Sequence, residues 1–416
     1  MNREDSIAQD KSARAGSEES PRTRVHKRML PRYCALALAV WFGHGPTARA
    51  ADAITILHTF TVQAQGGTNS CSTLTLAGSK LYGINRAGGT ANHGIIFSVN
   101  TDGSGFTVLH NFTGGDNDGK DPYGPLTLAG TKLYGMTPLG GPADNGVLFS
   151  INTDGSGFTI LHSFLGRTND GSRPTYAPTL SDSKIYGATT VGGASDLGTV
   201  FSANLDGSDF RVLYSFKREM DGASPRGTLI LAGSQLYGTA SLGGARDSGT
   251  IFRIGADGSN FSVLHTFAHD EGAEPESALT LAGSRLFGMA YLGGANNEGS
   301  IFALNTDGTG FQLLHSFSAD ANDGRQSYGG LILMGSRLYG KTYLGGGRDM
   351  GTLFSIGTDG AGFRLLKSFT GSPADGSHPK ADLTVSSDSS TLYGTTADGG
   401  SADDGIVFSF PIGTAP

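Results

Sequence analysis

Short apolar runs alternate with glycine-rich polar stretches along most of the chain, and no segment keeps a helical period. One unit shows the pattern. An apolar run at 126–129 ends in Gly130-Thr131, and a second run follows at 132–136. The double glycine Gly140-Gly141 leads to a third run at 147–152, and Asp154-Gly155-Ser156-Gly157 separates that from a fourth at 158–164. Glycine accepts positive φ without steric cost, so Asp-Gly and double-glycine turns between β-rich runs are hairpin chemistry. The unit therefore predicts a four-stranded antiparallel meander.

The unit recurs. Its Leu-Tyr-Gly motif returns at Tyr82, Tyr134, Tyr186, Tyr237, Phe287, Tyr339 and Tyr393, with spacings of 52, 52, 51, 50, 52 and 54 residues. A double glycine follows each motif, from Gly88-Gly89 to Gly399-Gly400, and a Gly-x-x-Phe strand start comes next, ending at Phe97 in the first unit and Phe408 in the last. A four-stranded meander every ~50 residues predicts a propeller blade. The chain ends decide against a solenoid. A lone copy of the fourth strand stands first, at 54–60, and the last unit, 383–410, lacks that strand. A solenoid needs caps and not a permuted final repeat. The orphan strand completes the orphan blade and closes a ring, which removes free sheet edges. The fold class is thus all-β: a seven-bladed β-propeller over 54–410 of four-stranded antiparallel blades, closed by an N-terminal strand, with 411–416 as a tail.

Composition agrees. The 416 residues include 66 Gly without a collagen period, and only 16% are charged. The first 50 residues differ. A basic cluster (Arg22, Arg24, Lys27, Arg28) precedes the apolar run 34–42, and Ala48-Arg49-Ala50 fits a small-residue cleavage site. That order is a signal peptide with a long polar lead. The run is shorter than the ~20 apolar residues a membrane span needs. The expected product is secreted or periplasmic, with no membrane span in the mature chain. Removing residues 1–50 takes 9 of the 30 basic and 5 of the 37 acidic residues, leaving a net charge of −11. An acidic chain cannot replace the counterions around phosphates, so no nucleic-acid partner is expected. Cys71 is then the remaining cysteine, and no intramolecular disulfide can form. A monomer is expected.

The unit Leu-Tyr-Gly-x-Thr-x-x-Gly-Gly-x-x-x-x-Gly-Thr-Val-Phe, with Asp-Gly-Ser-Gly-Phe and Leu-His-Ser-Phe after it, resembles the GloVer tandem repeat of bacterial secreted or surface proteins. The resemblance covers residues 54–410. It implies an exported propeller-like protein and no particular activity.

In a meander the Asp-Gly turns all lie on one face, while the double-glycine loops share the other face with the loops between blades. Two positions on that second face change chemistry from blade to blade. The first leads into each innermost strand: Cys71, Tyr123, Thr175, Arg226, Glu276, Tyr328 and Lys380. The second is the third residue after Leu-Tyr-Gly: Arg86, Pro138, Thr190, Ser241, Tyr291, Tyr343 and Ala397. Tyr, Arg and carboxylate groups converging on one channel mouth suit a polar ligand such as a glycan, or an extracellular protein. The candidate ligand residues are Tyr123, Arg226, Glu276, Tyr328, Lys380, Arg86, Tyr291 and Tyr343, against drift at solvated loop positions.

Other recurring polar residues read as structure. Asn92, Asp144, Asp196, Asp247, Asn297, Asp349 and Asp403 are spread over seven blades, and calcium needs ~6–8 oxygens around one ion. Capping of the local turn is expected instead. His58, His110, His162, His265 and His315 give way to Tyr214 and Lys367 in the same repeat position, which predicts packing and not metal ligation. No metal and no cofactor is expected. No nucleophile elbow, zinc-protease helix or P-loop is present. The leading expectation is a non-catalytic binding or scaffold module; a glycan-active hydrolase or lyase on the same face is the alternative.

Overall fold

The computed structural model describes residues 53–61, 66–218 and 220–413. The expected signal segment lies outside them. Among the described residues there are seven four-stranded antiparallel sheets and no helix, hence none long and apolar enough to cross a membrane. Blade 2 runs Thr127–Ala129, Lys132–Thr137, Val147–Asn152 and Thr159–Ser163, hydrogen-bonded in that order from the inside out. These strands match the expected runs to within a residue or two.

Closure is as predicted. Thr55–Thr59 pairs antiparallel with Ile406–Pro411 as the outermost strand of blade 7. Its register slips between Ile56 and His58, and the six internal outermost strands slip at the equivalent place. The orphan strand is therefore a genuine copy of the repeat. Threonines near the axis tie the ring together. Thr75, Thr127, Thr179, Thr280 and Thr384 each donate a hydroxyl to a backbone carbonyl of the next blade, the last reaching Leu74 across the closure.

The core lies between blades. One cluster joins Ile84, Ile96 and Phe112 of blade 1 to Leu126, Val147 and Phe149 of blade 2. The motif glycine follows from this packing. A Cβ on Gly135 would stand 2.4 Å from the Phe149 ring, so the tyrosine motif needs glycine where the phenylalanine lies across the strand.

The recurrent histidines are the outer fasteners of this packing. His110 stacks on Phe158 of the next blade, with centroids 4.0 Å apart and rings 5° from parallel. His162, His265 and His315 do the same with Phe210, Phe311 and Phe363, as does Tyr214 with Phe261. Each also meets an acid that sequence reasoning did not single out: His110 with Asp118, His162 with Asp170, Tyr214 with Asp221, His265 with Glu271 and His315 with Asp323. Lys367 meets Asp375 at 2.8 Å. Asp118 further accepts from the Thr113 and Gly119 amides at 2.8 and 2.7 Å, fixing the start of the inter-blade loop.

Candidate functional site

The two faces differ in construction. On the Asp-Gly face one motif repeats: Asp102 Oδ1 accepts from the Ser104 amide at 2.9 Å and from its hydroxyl at 2.6 Å, and Asp154, Asp206, Asp257 and Asp307 do the same in their turns. On the opposite face each double-glycine loop is capped as expected. Asn92, Asp144, Asp196, Asp247, Asn297, Asp349 and Asp403 accept from the first glycine amide at 2.8–3.1 Å, all with positive φ. In five blades that first glycine also pairs with the inter-blade loop in a two-residue ladder, Gly119 with Gly140 for example. The ladder holds the inter-blade loops beside the channel.

From there the chain enters the innermost strands, and the variable side chains meet. A small cavity of about 30 Å³ lies among Cys71, Thr73, Tyr123, Tyr176, Tyr328, Lys380 and Asp382. Four of the seven residues of the first variable position line it. Arg226 and Glu276 instead pair with one another across blades 4 and 5, and Arg226 also bonds the Tyr176 hydroxyl. Tyr176 was not singled out from sequence. Thr175 takes the aligned position, and its neighbour turns into the channel. Gly124 of blade 2 permits this, because a Cβ there would stand 2.7 Å from the Tyr176 backbone. The mouth is therefore largely filled by aromatic rings, with room on the order of one water molecule.

The open aromatic surface lies on the rim over blades 5 to 7. Tyr291 and Tyr328 stand with centroids 4.5 Å apart, Tyr328 and Tyr343 at 5.4 Å, and Tyr343 and His378 at 4.9 Å. Lys380 Nζ sits 5.3 Å from the Tyr343 ring centre. These side chains are half-buried, and the Tyr291 hydroxyl donates to Gln326 Oε1 at 3.2 Å. Tyr291 and Tyr343 belong to the second variable position, and Tyr328 and Lys380 to the first. The structure thus brings four of the eight candidate residues into one shelf. Tyr123 lies in the filled channel and Arg86 is exposed.

Burial shapes the electrostatics. It raises Tyr123 and Tyr176 well above the ordinary phenol range, and Tyr328 likewise with help from the Tyr291 hydroxyl, so all three are neutral hydrogen-bonding groups. Burial also lifts the Glu276 carboxyl, against the Arg226 charge. For Arg226 burial has the largest single effect and lowers the pKa, but Glu276 together with Tyr176, Tyr123 and Glu274 outweighs it and the net shift is upward. The direct contact is that of a charged pair. Burial pushes the Cys71 thiol up to about 11, and its Sγ is bonded to Asn69 Oδ1 at 2.8 Å, an environment that suppresses thiolate reactivity.

Two buried charges escaped sequence reasoning. Lys341 is 2% exposed, donates to the Thr395 carbonyl at 3.2 Å, and is drawn down to about 7 by burial. Asp382 lines the channel, accepts from the Gly330 amide, and is raised by burial against that bond and the Lys341 charge. Aligned repeats carry a signal for both. Lys341 stands in a column of Ile84, Met136, Ala188, Thr239, Met289 and Thr395, and Asp382 in one of Thr73, Pro125, Ala177, Thr228, Ala278 and Gly330. Among the described residues, no three His, Cys, Asp or Glu side chains are grouped as metal ligands.

Fold and site together define a closed repeat propeller with a constant frame and a variable mouth. The Gloeobacter/Verrucomicrobia repeat matches residues 47–177 and 157–346, and the chain belongs to that family. No curated protein matches it. Among solved structures it is similar to an oligogalacturonate lyase from Vibrio parahaemolyticus, at 12% identity and a TM-score of 0.57 over 87% of this chain and 94% of that one. It is also similar to an oligogalacturonate lyase in complex with manganese, at 14% identity and a TM-score of 0.55 over 87% and 97%. At such identities the likeness is one of fold.

Proposed function

We propose that this chain is an exported, non-catalytic binding module that takes a saccharide on the double-glycine face. The observation that carries the reading is the shelf of Tyr291, Tyr328 and Tyr343 with His378 and Lys380, drawn from three blades on a rigid ring. Tyrosine rings offer flat apolar area beside hydroxyls, which suits the alternating C–H and O–H surfaces of a sugar. Export rests on the basic cluster, apolar run and Ala48-Arg49-Ala50 of the first 50 residues. Sequencing the N-terminus of protein recovered from the medium or envelope tests it; an intact Met1 or Met29 form there contradicts it.

Two of the similar propellers are oligogalacturonate lyases, and a lyase or hydrolase is the rival reading. It would need a sugar within reach of Glu276, Arg226 and Asp382. The channel beside them holds about 30 Å³, while ligand pockets run to ~300–1,000 Å³. That contrast supports binding at the rim over catalysis in the channel. A glycan-array screen of the 51–416 fragment, followed by product analysis on any hit, separates the two. Capture without turnover is expected, and release of unsaturated or reducing ends overturns the binding reading.

A further inference from the structure

The junctions between blades differ on the Asp-Gly face. At several of them the third strand of the following blade ends in a recurring pair: Asn100-Thr101, Asn152-Thr153, Asn204-Leu205 and Asn305-Thr306. The asparagine donates to the turn hydroxyl, Asn100 to Ser104 at 2.9 Å for example. The threonine meets the motif tyrosine of the preceding blade, as Thr153 does with Tyr82 and Thr101 with Tyr393. Blade 6 has Gly357 but keeps Thr358, whose carbonyl accepts from Arg285 of blade 5.

Blade 4 has Gly255-Ala256, so neither the turn-bonding asparagine nor the threonine that meets the preceding tyrosine is present. A cleft of about 590 Å³ opens there between blades 3 and 4, within the ~300–1,000 Å³ range of small-ligand pockets. Leu213 and Ala256 supply apolar lining, with Tyr186 behind them. Ser202, Gln235, Ser259 and Asn260 line it with hydroxyls and amides. Its charges balance. Lys184 and Arg211 share Asp209 at 3.1 and 2.6 Å, and Asp257 is the second carboxylate. Hydroxyl and amide groups, a little apolar surface and balanced charges are the recognition chemistry of an uncharged polyol.

We propose that this cleft is a second binding site, separate from the tyrosine shelf, for a neutral saccharide of one or two rings. The test is calorimetric titration of the mature chain with cellobiose, maltose, lactose and trehalose, and with digalacturonate as the charged comparison. At least one neutral disaccharide is expected to bind. The double variant Gly255→Asn/Ala256→Thr, which restores the residues of blades 1, 2 and 5, should weaken that binding at least tenfold; a Cβ on Gly255 would stand 2.5 Å from Asp257 Oδ1 and 2.7 Å from Ser259 Oγ, so Ala256→Thr alone is the variant expected to keep the melting temperature. Measured in a Tyr343→Ala background, which disables the shelf, binding at the cleft should persist and Arg211→Ala should weaken it several-fold. If the refilled variant does not fold, Arg211→Ala and Gln235→Ala decide in its place. The proposal is overturned if no neutral disaccharide binds, if only digalacturonate binds, or if binding persists when the cleft is refilled.

Discussion

The outer junctions and the channel mouth are built from the same seven repeats and look quite unlike each other. At the junctions His110, His162, His265 and His315 repeat one stack and one acid contact. At the mouth one aligned position holds Cys71, Tyr123, Thr175, Arg226, Glu276, Tyr328 and Lys380. Each junction must solve the same packing problem, so its solution repeats. At the mouth the blades contribute unequally, with Tyr123, Tyr176 and Tyr328 filling space that smaller neighbours such as Gly124 leave, so the aligned position is free to vary. The places where the repeat breaks are therefore the places to look for binding.

That comparison breaks down if the constant positions tolerate change. The largest effect is expected on removing residues 51–60, which takes away the outermost strand of blade 7 together with the fully buried Phe60. The exposed edge of Ile406–Pro411 should drive aggregation, and light scattering on heating should show it. Phe149→Ala, in the cluster joining blades 1 and 2, should cost about 3–5 kcal/mol in urea denaturation. Asp118→Ala leaves the Thr113 and Gly119 amides unpaired and should cost about 1–3 kcal/mol.

The buried Lys341 gives a pH test. Its pKa in the fold is about 7, below the ordinary lysine value, so between the two the unfolded chain binds the extra proton. Stability should rise by about 2 kcal/mol from pH 7 to pH 9. Lys341→Met should remove that rise and leave the protein more stable at pH 7. An unchanged pH profile contradicts a neutralised Lys341. Ser104→Ala, on an exposed turn, should scarcely move the melting temperature.

Much of the fold was legible because its determinants are local and repeated. Asp-Gly turns, double glycines and the displaced strand at 54–60 give blades, order and closure without any long-range information. The acid partners of the histidines were less visible, since the distance from His265 to Glu271 differs from that between His110 and Asp118. The site was legible only as a set of variable columns. Which members share a surface depends on side-chain direction: Tyr328 and Tyr343 come together, while Arg226 and Glu276 close on each other. Tyr176 enters the channel from a neighbouring position because Gly124 leaves it room, and Lys341 and Asp382 stand out only once the repeats are aligned.

The central claim is that the tyrosine shelf on the variable face is the principal saccharide site. The most direct measurement is titration of a glycan-array hit against Tyr328→Ala and Tyr343→Ala, with Ser104→Ala and Ser156→Ala as controls on the repeated turns. The tyrosine variants should lose at least tenfold in affinity with the fold intact, in line with the ~2 kcal/mol or more carried by a buried aromatic anchor, and the serine variants should bind as the parent does. Loss of binding in the serine variants with retention in both tyrosine variants would put the functional face at the opposite end of the propeller.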